Sequence, residues 1–141
     1  MAETELDLLL ATLDPLLLPE TYAFVTLPGA RYGDLAELSP VAAFAETEGL
    51  SLVVPESAVG DATTASHGRY RMITLQVRSS LDAVGLTARV SEALMRLDIS
   101  ANVIAAFHHD HLFVPADRAE AALEALRALQ CEARGHAPPR T

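Results

Sequence analysis

Tyr70-Arg-Met-Ile-Thr-Leu-Gln-Val-Arg-Ser-Ser-Leu-Asp-Ala-Val-Gly-Leu-Thr87 is the stretch from which the rest of the chain is read. Ile73, Leu75 and Val77 alternate with Thr74, Gln76 and Arg78. A period of two gives a strand with one dry and one wetter face. Ser79-Ser80 stops the strand. From Gly85 to about Leu97 the pattern turns helical, with Leu86, Val90, Ala93, Leu94 and Leu97 on one face and Arg89, Glu92 and Arg96 on the other. A strand that feeds a helix N-terminus aims several unpaired backbone N–H groups at one point, which suits a small anion such as a carboxylate.

Downstream, Asn102 to Phe107 reads as a strand, His109-Asp110 as a tight turn, and His111 to Val114 as the hairpin partner that Pro115 stops. Asp117 with Glu120 resembles a capping box for a last helix whose apolar face is Ala119, Ala122, Leu123, Leu126 and Leu129. Residues 133–141 read as a disordered tail. Upstream, Leu6, Leu9, Leu10 and Leu13 repeat at helical spacing, with Thr4 as a cap, and Pro15 and Pro19 end that helix. Thr21 to Leu27 is a β-rich run, followed by a long loop from Pro28-Gly29 to Ser39-Pro40. Val41–Thr47 and Leu50–Val54 form a hairpin through Glu48-Gly49. Gly60 to Gly68, small and polar, reads as a linker.

The composition narrows the function. The 141 residues carry 19 acidic and 10 basic side chains, a net charge of -9. No Lys/Arg cluster exists, which argues against nucleic acid as a partner. No apolar run reaches spanning length, so no membrane partner is expected, and the acidic start lacks the basic opening of a signal peptide. The expected location is the cytoplasm. Cys131 is the single cysteine and makes neither an internal disulfide nor a thiolate metal site by itself.

Two pairs of segments echo each other. Tyr22-Ala-Phe-Val-Thr-Leu27 resembles Tyr70-Arg-Met-Ile-Thr-Leu75, at an offset of 70 − 22 = 48. Val41-Ala-Ala-Phe44 resembles Ile104-Ala-Ala-Phe107, at 104 − 41 = 63, and each runs on to a Val-Pro. The difference of about 15 residues is the size of one helix with its turns. The first copy then reads as the second with its crossover helix removed, and the Leu6–Leu13 helix is expected to cover the sheet face left bare. The second copy, β-α-β-β-α, is a ferredoxin-like unit without its final strand, with both helices on one face. The expected fold is α+β, two tandem ferredoxin-like units rich in antiparallel sheet: residues 1–65 as a degenerate unit and 66–132 as a complete one.

Glu48-Gly-Leu-Ser-Leu52, Ser79-Ser-Leu-Asp-Ala-Val-Gly-Leu-Thr-Ala88, Ile99-Ser-Ala-Asn-Val103 and His109-Asp-His-Leu-Phe-Val-Pro115, in this order, resemble the ACT domain. More narrowly, the chain resembles a bacterial family of uncharacterised tandem ACT-like proteins. The resemblance implies a regulatory module that binds an amino acid, assembles as a homodimer through sheets or helices, and does not catalyse. No cofactor is implied.

The ligand-site residues expected on this basis are Ser79, Ser80, Asp82, Val84, Gly85 and Leu86 at the strand-to-helix turn, with Asn102, His108 and Asp110. Backbone N–H groups near Gly85 and Leu86 would hold a carboxylate, and Asp82 would receive an ammonium. The competing reading is a plain helix cap, with Ser80 or Asp82 as N-cap, and for Asn102 a turn residue bonding its own backbone. Arg31, Tyr32 and Asp34 read either as a lid or as a solvated loop. The His108–His111 cluster offers a metal-binding alternative, although alternation would point its ligands to opposite sides and no third ligand is evident, so no metal residues are assigned. No catalytic residues are assigned either, because no nucleophile triad, phosphate loop or dinucleotide fingerprint is present. A structural dimeric adaptor without a ligand is the remaining class.

Overall fold

The computed structural model describes residues 5–60 and 65–135. Its elements are α1 (Glu5–Ala11), β1 (Pro15–Leu27), β2 (Ala42–Glu46), β3 (Gly49–Pro55), β4 (Ala65–Leu75), α2 (Leu86–Met95), β5 (Asn102–Ala105), β6 (Asp110–Pro115) and α3 (Ala119–Gly135). They fall into two compact units, residues 19–70 and residues 1–18 with 71–141. The units therefore do not coincide with the two halves of the sequence.

In the 71–141 unit the sheet runs β1-β4-β6-β5. β5 and β6 form an antiparallel hairpin with Asn102 opposite Phe113. The dry face expected for the central strand is real: Ile73, Leu75 and Val77 join Leu112 and Val114 in one core with Leu86, Val90 and Leu94 of α2 and Ala122, Leu126 and Leu129 of α3. The place of the missing final strand is taken by the start of β1. The Val77 and Gln76 N–H groups donate to the carbonyls of Leu13 and Asp14, both at 3.2 Å. Arg71 sends Nε and Nη2 to the Leu18 carbonyl at 3.0 and 2.8 Å. The guanidinium completes the pairing just before Pro19, which has no N–H to offer a ladder.

α1 also belongs to this unit. Leu10, Ala11 and Leu13 lie in the same core, so the helix does not cover the first copy's bare face. Its last carbonyl, that of Ala11, needs a partner beyond the helix, and α3 supplies it. Gln130, only 9% exposed, donates from Nε2 to the Ala11 carbonyl at 3.1 Å and accepts the Asp14 N–H at 3.0 Å. Arg134 Nε reaches the same Ala11 carbonyl at 3.0 Å.

In the 19–70 unit the sheet runs β2-β3-β1, all antiparallel. Val25, Leu27, Leu50, Leu52 and Val54 form its core, closed by Ala30, Leu35, Leu38 and Val59. The segment between β1 and β2, with a 3-10 turn at Ala36–Leu38, thus stands where the other unit has a crossover helix. Gly49 opens β3 at φ +142°, and a Cβ there would lie 2.6 Å from the Leu27 carbonyl oxygen, so only glycine fits.

The repeat is visible in the hydrogen-bond register. Adding 60 carries the pair Ala42↔Val53 onto Asn102↔Phe113. After each second strand, Pro55 (φ -53°, ψ 136°) and Pro115 (φ -52°, ψ 134°) lead into a 3-10 turn with nearly identical backbone. The Val41–Phe44 echo of Ile104–Phe107, at an offset of 63, is therefore three residues out of structural register.

Several boundaries differ from the sequence reading. β1 starts at Pro15, because Leu16-Leu17-Leu18 is strand rather than the tail of a helix. The expected linker at 60–68 is replaced from Ala65 onward by β4, and 61–64 lie outside the described residues. α3 continues to Gly135, so residues 133–135 are helix rather than tail. The remainder of that tail and Thr4 lie outside the described residues. The chain enters α3 through a 3-10 turn at Ala116–Arg118 that has no side-chain cap, so the Asp117 capping box does not form at that turn.

Candidate functional site

β4 delivers the chain to the turn at Ser79, and the Ala83 N–H closes it on the Ser80 carbonyl at 3.1 Å. α2 is then capped by Gly85, in the left-handed conformation (φ 99°, ψ -17°), with no side-chain hydrogen bond to the cap. This corrects the capping alternative: neither Ser80 nor Asp82 is the N-cap. The first α2 bond runs from the Arg89 N–H to the Gly85 carbonyl at 3.0 Å. The N–H groups of the first helical turn are the ones left without i−4 partners in any α-helix.

A cleft of about 70 Å³ opens beside this turn. Ser79, Ser80, Leu86 and Thr87 form one wall, and Ala105, Ala106, His109 and Asp110 at the β5–β6 hairpin form the other. Four of the nine expected residues, Ser79, Ser80, Leu86 and Asp110, line it. Asp82, Val84 and Gly85 share the turn but not the lining, and Val84 is 87% exposed. A Cβ on Gly85 would approach Leu6 Cδ2 at 3.0 Å rather than any cleft atom. Asn102 lies on β5 and sends Nδ2 to the Phe113 carbonyl at 3.4 Å. It thus bonds across the hairpin, neither in the cleft nor to its own turn. His108 is exposed, its ring edge-on to Phe107 at 5.0 Å.

Thr87 and His109 are the polar lining residues that sequence reasoning did not assign. Thr87 follows from placing the cap at Gly85, which puts it in the first helical turn. His109 was reachable from the hairpin. β5 ends at Ala105 and β6 begins at Asp110, so the loop is four residues, closed by the Ala106 N–H on the His109 carbonyl at 3.1 Å. A four-residue loop breaks strict alternation and lets His109 and Asp110 share one side.

The histidines separate rather than converge. His109 Nδ1 lies 3.5 Å from the Val77 carbonyl oxygen, and His111 Nδ1 lies 2.9 Å from Thr74 Oγ1. Among the described residues no three His, Cys, Asp or Glu side chains gather into a metal-binding group. The His111 pKa is pushed down, chiefly by burial and next by His109, with Asp110 opposing. His111 is therefore neutral at pH 7 and free to share one proton with Thr74.

In the other unit, the Arg31 N–H donates to Asp34 Oδ2 and the Asp34 N–H to the Arg31 carbonyl, both at 2.9 Å. This self-closed turn borders a shallow hollow of about 330 Å³ with Tyr32, Pro40, Val41 and Leu52. Tyr32 and Asp34 stand exposed there.

A β-α-β-β-α order with the helices on one face of an antiparallel sheet, together with a shorter relative of the same hairpin, defines a tandem of ferredoxin-like units of α+β class. The chain belongs to the ACT domain family: ACT domain models match residues 1–71 and residues 67–128. Among solved structures it is similar to a Vibrio cholerae protein of unknown function described as a possible transport protein, with 43% identity over 85% of this chain and 92% of that one, and a TM-score of 0.76. A protein from Agrobacterium tumefaciens shares the fold at 18% identity, covering 82% of this chain and 87% of that one, with a TM-score of 0.70. The regulatory subunit of aspartate kinase from Thermus flavus does so at 12% identity, 82% and 95% coverage and a TM-score of 0.60. No curated protein matches the chain. Among the described residues no helix is long and apolar enough to cross a membrane.

Proposed function

We propose that this chain is a non-catalytic regulatory module that binds a free amino acid in the cleft between the β4–α2 turn and the β5–β6 hairpin. One observation carries the reading: the N-terminus of α2 has no side-chain cap and opens beside Ser79, Ser80 and Thr87, with Asp110 across the cleft. Backbone N–H groups at a helix start suit a carboxylate, and the Asp110 carboxylate suits an ammonium. An amino acid carries both charges on one carbon. The small volume supports this size of head group, because drug-sized or cofactor-sized ligands occupy pockets of roughly 300 Å³ or more. ACT-family membership and the likeness to an aspartate kinase regulatory subunit support regulation by a small ligand.

The same reading places the protein in the cytoplasm as a homodimer and takes residues 1–65 and 66–132 as two copies of one ancestral unit. The ligand site then belongs to the second copy alone, since the first has neither the turn nor the helix. Isothermal titration of the twenty amino acids tests it. Saturable binding of one or a few, lost in Asp110→Ala and kept in Asp82→Ala, is the expected result. A second reading, an adaptor that pairs with a second copy and binds no ligand, is favoured by the same small volume, and silence across all twenty would select it.

A further inference from the structure

The register that relates the two units also marks a space in the 19–70 unit. The pair Ala43↔Leu52 corresponds to Val103↔Leu112. Val103 packs against a core that includes Leu86, Val90 and Leu94 of α2. Ala43 is exposed, and the chain from Pro28 to Val41 brings only a three-residue 3-10 turn where α2 brings ten helical residues. A helix with its side chains is about 10–12 Å wide, and this segment leaves part of that width empty. The hollow of about 330 Å³ beside Ala43 and Leu52 is the result. Its wall has a fixed form. Leu35 (φ 64°) and Ser39 (φ 55°) are left-handed although neither is glycine. Such residues persist only where their surroundings over-determine them, and Leu35 and Leu38 are packed against the core of the unit.

We propose that this hollow is a second small-molecule site, one that takes an apolar amine: an ammonium on an aromatic or branched aliphatic body, without a carboxylate. It is independent of the amino-acid cleft at α2. Pro40, Val41, Ala43 and Leu52 give the hollow an apolar lining for the body, and its volume falls in the range of small-molecule pockets, roughly 300–1,000 Å³. Tyr32, 80% exposed, offers a ring face, and Asp34 is the one charged residue of the lining. Asp34 accepts the Arg31 N–H through Oδ2 and forms no ion pair among the described residues. A carboxylate has lone pairs beyond that one bond, so it can also receive an ammonium, with the tyrosine ring as a second cation partner. No lysine or arginine lines the hollow, so the carboxylate of a free amino acid would meet Asp34 with no cationic side chain to receive it. The chain's net charge of -9 favours a cation as well.

A ¹H–¹⁵N correlation titration of the full chain with phenethylamine tests the site. Saturable shifts are expected at the amides of residues 31–43, with those of 79–88 unmoved. Phenylalanine, the same body with a carboxylate added, and phenylpropionate, which has a carboxylate and no amine, should leave 31–43 unmoved. Asp34→Asn keeps an oxygen for the Arg31 N–H and should weaken phenethylamine at least about tenfold, the loss expected for one charged hydrogen bond. Glu48→Gln, which removes an exposed carboxylate outside the lining, should change the affinity less than about twofold, since an exposed charge at a distance is screened. Ala43→Phe fills the hollow from an exposed strand position and should abolish binding, which tests the site even if Asp34→Asn does not fold. No saturable shift in 31–43, equal binding of phenylalanine there, or undiminished affinity in folded Asp34→Asn or Ala43→Phe overturns the proposal. Each of these results leaves the amino-acid cleft untouched, because that site is read from 79–88.

Discussion

Gly85→Val separates the site from the scaffold that carries it. Gly85 sits at φ +99°, where side chains are strained, and its added Cβ would meet Leu6 Cδ2 at 3.0 Å. Leu6 packs against the core of the 71–141 unit. A non-glycine residue forced into such a backbone costs about 1–3 kcal/mol, with a β-branched one at the upper end. Leu6 is flexible and can yield, so the backbone dominates. For a domain with a urea m-value of roughly 2 kcal/mol/M, the unfolding midpoint should fall by about 0.5–1.5 M. Gly85→Ala should fall by less. The assay is urea denaturation followed by circular dichroism, with titration of the bound amino acid under folding conditions. The cleft does not include Gly85, so affinity in the folded variant should stay within about threefold, or under 1 kcal/mol. An unchanged midpoint would refute the strain argument. A stable variant with binding abolished would show that Gly85 belongs to the site itself.

Three further outcomes follow from the same contacts. Gln130→Leu removes the amide that serves both Ala11 and Asp14; Arg134 still reaches Ala11, so urea melts should show a loss of about 1–3 kcal/mol, the cost of one lost buried partner, and Gln130→Glu should recover part of it. His111 has its folded pKa below the ordinary 6.5, so its contribution to stability is complete above pH 6.5 and is lost as pH falls through the folded value; thermal melts from pH 8 to 5 should fall more steeply in wild type than in His111→Asn. Thr87→Val places a methyl where the cleft has a hydroxyl, and Thr87 is exposed; calorimetry should show weaker amino-acid binding with a melting temperature within about 2 °C of wild type, as expected for surface changes.

The parts of the fold legible in the sequence were those fixed by local periodicity. Ile73, Leu75 and Val77 alternate and are buried together, and the α2 positions Leu86, Val90 and Leu94 recur at helical spacing and face the same core. What was not legible depends on long-range partners. Pro15 and Pro19 bracket three leucines and read as helix breakers, yet they lie in a strand whose gap at Pro19 is bridged by Arg71, more than fifty residues away. Residues 65–68 look like linker, because a strand held by a neighbour needs little intrinsic propensity. Gln130 gives no local sign that it anchors α1. Of the cleft lining, Ser79, Ser80 and Leu86 were expected from a strand meeting a helix, and Asp110 from the polar cluster at the hairpin. His109 and Thr87 were not, because each depends on a boundary, the hairpin loop length and the Gly85 cap, that shifts which side chains face inward.

Binding of an amino acid in the cleft at the start of α2 is open to direct observation. A ¹H–¹⁵N correlation titration with the amino acid that calorimetry selects tests it most directly. The largest shifts are expected at the amides of residues 79–88 and 106–110, with those of 28–46 unmoved. Saturable shifts centred on 28–46 instead, or none in 79–88, would contradict it.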